Sequence, residues 1–303
     1  MQQQYFHGIG KKYPYFEGWY LKHQNQGRTI AFIPALHADK KGGWSASIQV
    51  VTEDGAWYFT YPAELCKINR QKFCVRIGEN VFSEKGIRIK IESKEISVEG
   101  RIRYGKFQRI KGDIMGFFRW VPFLQCRHGI ISMAHDLTGS LRFCGSNTRE
   151  EIISFTGGRG YIETDWGSSF PSSYIWSQCG FGMEEKNSIM VSAADVPVFG
   201  FHLPGCICAI HYRGREFRLG TYYGARIKEY GPGTVTITQG IMTVKVTRLS
   251  DHSFALHAPQ SGRMQRMIKE SPSCLVRYQF WMGRVNVFDV VSDRGSYEEE
   301  LGK

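Results

Sequence analysis

A strict two-residue alternation, repeated in short bursts along the whole chain, limits most severely what this sequence can fold into. In Ile87-Arg88-Ile89-Lys90-Ile91 and Val244-Lys245-Val246 every second residue is apolar, with cations between. A strand turns successive side chains to opposite faces, whereas a helix repeats every 3.6 residues, so such a stretch buries one face only as a strand. The candidates follow one another: Glu17–Lys22, Thr29–His37, Trp44–Val51, Trp57–Tyr61, Phe73–Ile77, Ile87–Ile91 and Ile96–Tyr104. After a break come Tyr174–Gly182, Ile189–Ala194, Cys206–Tyr212, Phe217–Tyr222, Val235–Thr238, Met242–Thr247 and Phe254–His257. Turn residues separate them, as at Glu53-Asp54-Gly55, Arg213-Gly214-Arg215, Gly231-Pro232-Gly233 and Met282-Gly283-Arg284. No long helical period interrupts the series. Many antiparallel strands with short turns predict an all-β fold, either sandwiches or closed barrels.

An echo between the halves predicts two such units. Phe16-Glu17-Gly18-Trp19-Tyr20 opens the first and Tyr174-Ile175-Trp176-Ser177-Gln178 the second, and each is followed by a Ser-rich apolar strand, Ser45–Val51 or Ser188–Ala194. The division is expected near residue 155, beside Gly157-Gly158-Arg159-Gly160, giving units 1–155 and 156–303. A late strand, Cys274–Trp281 or Val285–Val291, could pack back onto the first unit. With 42% hydrophobic residues and 14% aromatics, the chain has ample material for a core.

The net charge of +11 raises the question of nucleic acid. However, the cations are spread over strand faces. The densest cluster, Arg101, Arg103, Lys106, Arg109 and Lys111, sits beside no recognisable nucleic-acid motif. A solvated strand face accounts for it, with an anionic ligand or a peripheral membrane contact as alternatives. No nucleic-acid partner is expected. No apolar run approaches the 18 residues of a membrane helix, and Met1–Lys12 lacks the apolar segment of a signal peptide, so a cytoplasmic location is expected. The eight irregularly spaced cysteines do not resemble a disulfide framework, and Cys206-x-Cys208 is too closely spaced for a zinc knuckle. Free thiols and no structural metal follow.

The chemistry-bearing residues concentrate between Cys126 and Cys179. Over Tyr161-Ile162-Glu163-Thr164-Asp165-Trp166, alternation puts Tyr161, Glu163 and Asp165 on one face, with the two carboxylates roughly 7 Å apart from the rise per residue. That face is either solvated or lines a cavity. His128 and His135, seven apart, face opposite ways in a regular strand, which argues against a joint metal site. His128 shares its face with Ser132. Each histidine has a structural reading and a functional one. Glu17, among Tyr15, Phe16, Trp19 and Tyr20, either holds a proton in apolar surroundings or pairs with a cation such as Lys22. Asp113–Leu124 is almost wholly apolar and suits either a pocket-lining loop or an inter-domain contact. No phosphate-binding Gly-rich loop and no Gly-x-Ser-x-Gly elbow occurs.

Gly160-Tyr161-Ile162-Glu163, Trp166-Gly167, Phe170-Pro171, Trp176 and Gln178-Cys179 resemble a signature of the tocopherol cyclase family. Phe16-Glu17-Gly18-Trp19-Tyr20 resembles that family's other signature. The match is closer to the bacterial relatives, because Asp165 and Gly180 stand where the plant pattern has Asn. The resemblance implies paired lipocalin-like antiparallel β-barrels and addition of O–H across an isoprenoid alkene: a protonated acid gives H⁺ to the double bond, and an internal phenol or water captures the cation. It further implies Glu163 as proton donor, Asp165 as its partner and Glu17 as the alternative donor. Trp19, Tyr20, Tyr161, Trp166, Tyr174, Trp176, Gln178, His128 and His135 would surround an apolar small-molecule substrate. Such chemistry requires no cofactor and no metal. A carrier of an apolar molecule would need the same pocket without the acid.

Overall fold

Residues 5–302, apart from 9, 12, 123, 146–149, 183–185 and 199–200, are described by a computed structural model. Strand accounts for 69% of the chain, far above the 20–25% of an average domain, as the alternation predicts. The first sheet holds β1 (Tyr15–Asn25), β2 (Arg28–Ala38), β3 (Trp44–Thr52), β4 (Ala56–Pro62), β5 (Cys66–Ile68), β6 (Cys74–Ile77), β7 (Asn80–Ser83), β8 (Gly86–Glu92), β9 (Ile96–Tyr104), β10 (Cys126–Gly145), β11 (Glu151–Ser154) and β12 (Arg159–Gly167). The second holds β13 (Tyr174–Phe181), β14 (Asn187–Val198), β15 (Phe201–Tyr212), β16 (Arg215–Gly220), β17 (Arg226–Gly231), β18 (Thr234–Gln239), β19 (Met242–Arg248), β20 (Phe254–Gln260), β21 (Arg263–Met282) and β22 (Val285–Glu300).

Both sheets are antiparallel, and both curl by the same device. The first runs β4-β3-β2-β1-β12-β10-β9-β8-β7-β6-β5, so its two edge strands are consecutive in the chain. The three-residue 3₁₀ turn Ala63–Leu65 joins them, which is possible only if the sheet bends round to bring its edges together. The second runs β16-β15-β14-β13-β22-β21-β19-β18-β17, and the 3₁₀ turn Thr221–Tyr223 joins its edges in the same way. The result is two lipocalin-like barrels. Trp19, Leu21, Phe32, Ile48, Phe82 and Ile89 fill the first, and Ile175, Val191, Cys208, Val244, Tyr278 and Phe288 the second. All eight cysteines are free.

The change of sheet falls between Gly167 and Tyr174, not at residue 155. The glycines at 157 and 158 bend the chain only enough to return β12 between β1 and β10. Of the late segments, the end of β22, beyond the expected Val285–Val291, meets β1 through Ser296 and Lys22, and the β20–β21 hairpin, ahead of the expected Cys274–Trp281, also reaches the first barrel. There the Gln49 amide donates to the His257 carbonyl at 2.9 Å and accepts from its backbone N–H at 2.8 Å.

Each barrel presents one outer face to the other, so strands in this seam are buried on both sides. In β1, Glu17, Trp19, Leu21 and His23 point into the first barrel, while Phe16, Gly18, Tyr20, Lys22 and Gln24 point into the seam. The seam has its own apolar layer, including Tyr20, Ile130, Tyr161, Tyr174, Trp176 and Leu256.

Candidate active site

A cavity of about 250 Å³ opens in the seam, and strand register explains its composition. In the first sheet Tyr20, Glu163 and Ile130 are cross-strand neighbours, and next to them stand Gly18, Asp165 and His128. In the second sheet Trp176, Glu298 and Glu270 form a similar row. Cross-strand partners lie on one face with their Cβ atoms about 5 Å apart. The two rows face each other, so four carboxyls and the His128 imidazole meet on a lining that also carries Arg127, Gln49 and His257 and is otherwise mostly apolar, with Phe16, Ile33, Phe170, Tyr174, Leu256 and Ile268.

His128 bridges two of the acids. Its Nδ1 is 2.9 Å from Asp165 Oδ1, and its Nε2 is 3.3 Å from Glu163 Oε2, though not aligned for a hydrogen bond. Glu163 also accepts from the Tyr161 hydroxyl and, at 3.2 Å, from the Trp176 indole N–H. Glu298 accepts from the Tyr174 hydroxyl. Glu270 Oε1 is buried without a partner.

These groups compete for protons. Burial raises Glu163 above the ordinary carboxylate range, although His128 opposes the shift. Burial, and after it the charge of Glu270, pushes Glu298 well above that range. Burial carries Glu270 up to about 7. The imidazole of His128 is depressed by burial, but Asp165 and then Glu163 outweigh this and raise it well above its usual value. A low-dielectric site cannot hold four neighbouring carboxylates all charged, so the cluster retains carboxyl protons near neutral pH. His128, Glu163 and Asp165 also form the one group among the described residues whose donor atoms, within 4.8 Å of one another, could meet a cation. Both imidazole nitrogens already face carboxylates, so a cation would have to displace those contacts.

Of the residues named from sequence, Tyr20, His128, Glu163, Asp165, Tyr174 and Trp176 line this cavity, and Tyr161 reaches it through its bond to Glu163. Others lie elsewhere. Glu17, one residue out of phase with Tyr20, points into the first barrel and accepts from Tyr15 Oη at 2.6 Å and from His7 N and Nδ1 at 2.8 Å. Trp166, its cross-strand partner, stacks on the His7 ring at 3.8 Å. Together these two hold the N-terminal segment in place. Trp19 sits in the core of the first barrel. His135 packs on Tyr104 and Phe107 on that side and bonds to Ser132. Irregular pairing on either side of Ser132 moves that serine from the expected face of His128 to the side of His135. Gln178 lies two residues beyond Trp176, outside this cavity, and accepts from Lys22.

Sequence reasoning missed Glu270 and Glu298. Glu298 stands in a run of three glutamates that reads as a solvated terminus and reaches the site by pairing with Trp176 across more than a hundred residues, and Glu270 reaches it by pairing in turn with Glu298. Within Asp113–Leu124, Met115, Phe118 and Leu124 line the cavity, while Ile114 O accepts from Tyr222 of the second barrel at 2.7 Å. Both expectations for this segment are therefore met, except at Phe123, which lies outside the described residues.

A family model described as tocopherol cyclase-like matches residues 79–299. No curated protein matches the chain by sequence. Among solved structures, AttH of Nitrosomonas europaea aligns over 94% of this chain and 92% of its own, with a TM-score of 0.58 and 10% identity. CghA with Sch210972 aligns over 95% and 89%, with a TM-score of 0.60 and 11% identity. Kievitone hydratase from Nectria haematococca aligns over 98% and 93%, with a TM-score of 0.52 and 12% identity. At these identities the shared property is the fold.

Proposed function

The chain belongs to the tocopherol cyclase-like family, and from that premise we propose that it is a cofactor-independent acid catalyst that adds O–H across an alkene of an apolar substrate. The carrying observation is the cluster of four carboxyls and His128 on the wall of an apolar, aromatic-lined cavity. A protonated carboxyl next to hydrocarbon is the reagent that alkene protonation needs. Glu163 gives its proton to one alkene carbon, leaving a tertiary cation on the other. An internal hydroxyl, or water, attacks that carbon and loses its proton to a carboxylate of the cluster. Ring closure is then an isomerisation and water addition a hydration. One relative in fold is named as a hydratase. The faces of Tyr20, Tyr174 and Trp176 stabilise the cation, and the dry walls keep water from intercepting it during ring closure. His128, held as imidazolium by Asp165, stands beside Glu163 to restore its proton.

Glu163→Gln keeps the shape and removes the acid. Turnover of a prenylated substrate should fall by about 10²–10⁴-fold, the usual contribution of a general acid, while calorimetric binding of that substrate stays within a few-fold. Full activity in this variant would exclude Glu163 as donor.

The substrate must reach the seam, and exposed apolar side chains surround the way in. Leu203 and Pro204 line the cavity and are exposed, and so are Phe117, Trp120 and Tyr223, which neighbour the lining residues Phe118 and Thr221 in the chain. We assign this rim to contact with a lipid surface from which an apolar substrate is taken.

A further inference from the structure

The seam continues beyond the acid cavity. Along β1, Phe16, Gly18 and Tyr20 line that cavity, while Lys22 and Gln24 line a second one of about 300 Å³. Where the first gathers carboxyls, the second gathers cations: Lys22, Arg159, Lys186 and Arg294.

Two of these four share one counter-ion, because Asp136 pairs with both Arg159 and Lys186. The other two lack one among the described residues. Lys22 is 1% exposed, and its ammonium donates to the Arg294 carbonyl at 2.9 Å, the Ser296 hydroxyl at 2.6 Å and the Gln178 side-chain oxygen at 3.4 Å. All three acceptors are neutral, and the last bond is long. Arg294 makes no ion pair among the described residues. The carboxylate on this lining, Asp293, is exposed and pairs with neither cation. Burial lowers Lys22 to about 8; the Cys179 and Cys274 thiols and Glu270 oppose the shift, and the nearby Arg294 charge adds to it.

An isolated cation in a protein interior is costly, and two that repel each other across a cavity cost more. An anion between them removes both penalties. Guanidinium and ammonium groups donating to the oxygens of one anion is the standard arrangement for oxyanions. The chain also leaves room for one. A Cβ at Gly180, on the same lining, would meet nothing nearer than the Asn187 carbonyl at 4.0 Å. We propose that this second cavity binds a small oxyanion, a carboxylate or a phosphate, between Lys22 and Arg294.

Isothermal titration of the full chain with inorganic phosphate, and separately with acetate, at an ionic strength fixed by chloride, tests this. At least one anion should bind saturably, and the tighter of the two identifies the natural group. Arg294→Gln should weaken that binding by about tenfold or more, as expected for loss of a charged hydrogen bond, and Lys22→Met should abolish it. Because Lys22→Met alters a buried position, Gly180→Asn provides the independent arm: it keeps both cations, fills the cavity and should also abolish binding. No saturable binding of either anion to the parent protein, or binding unchanged in both Arg294→Gln and Gly180→Asn, overturns the proposal. The readout is anion binding, so it is separate from whether Glu163 protonates an alkene.

Discussion

A single buried glutamate illustrates both what the site does and why it was hard to read. Glu270 is 2% exposed, has one oxygen without a partner, and holds its proton up to about 7 because it is buried. In the unfolded chain it ionises near 4.5. Between these values the folded state binds more protons than the unfolded one. The stabilisation is therefore complete below about 4.5 and is lost as pH rises through about 7. The full effect is on the order of 3 kcal/mol, taking 1.36 kcal/mol for each tenfold change in proton affinity. Glu270→Gln should flatten the urea-unfolding stability profile across this window and leave the variant more stable than the parent at pH 8. An unchanged slope would mean that Glu270 is ionised in the folded protein. At this scale, alternation alone placed Tyr161, Glu163 and Asp165 on one face, because they share a strand. It said nothing of Glu17, because a carboxylate among aromatics can satisfy its lone pairs inside a barrel as well as in a substrate cavity. The difference depends on His7 and Tyr15 side chains that spacing does not locate.

The elements carry a second kind of information, set by register. His135 on β10 and Gly160 on β12 are cross-strand partners, and a Cβ at position 160 would lie 2.2 Å from His135 Nε2. His135 is fully buried among Tyr104, Phe107 and its bond to Ser132, so its ring cannot withdraw. Gly160→Ala should destabilise the protein by about 1–3 kcal/mol, the usual cost of overpacking a core. The same change in a His135→Ala background should cost far less. Equal cost in both backgrounds, measured by denaturant unfolding, would show that the clash is not with this ring. The sequence offered Gly160 only as one glycine of a turn-like run, since the bulky group it accommodates lies 25 positions earlier. Irregular pairing around Ser132, which moves that serine from the face of His128 to the side of His135, is likewise invisible to a strict two-residue count, although the count does place the two histidines on opposite faces. Strand existence is a local property and was legible; cross-strand neighbours are not.

For the whole molecule, alternation and turn spacing were enough to expect two all-β units, because each strand needs one apolar face buried. They did not reveal that the acid cluster belongs to neither barrel interior. Both interiors are filled, and the cavity forms where outer faces of the two barrels meet. This also explains why the 113–124 segment is so apolar: Phe118 and Leu124 close the cavity, and their neighbours Phe117 and Trp120 are left 54% and 65% exposed. Leu203, on the cavity lining, is 52% exposed and Tyr223 64%, and Phe117 and Phe118 both pack on Tyr222, the neighbour of Tyr223. Contiguous exposed aromatics on a globular protein mark a contact surface. Here the chain's net charge of +11 favours an anionic one. The two contributions separate experimentally. Co-sedimentation with phosphatidylcholine–phosphatidylserine vesicles should weaken by about tenfold on Trp120→Ser, and further on Phe117→Ser, since burying one aromatic contributes about 1.5–3 kcal/mol at most. Raising salt should weaken binding of parent and variants alike, because the cations remain. Neither substitution touches the acid cluster, so turnover of a detergent-dispersed substrate should hold while turnover of a vesicle-borne one falls. Vesicle binding unaffected by both substitutions would remove the rim from any role in membrane contact.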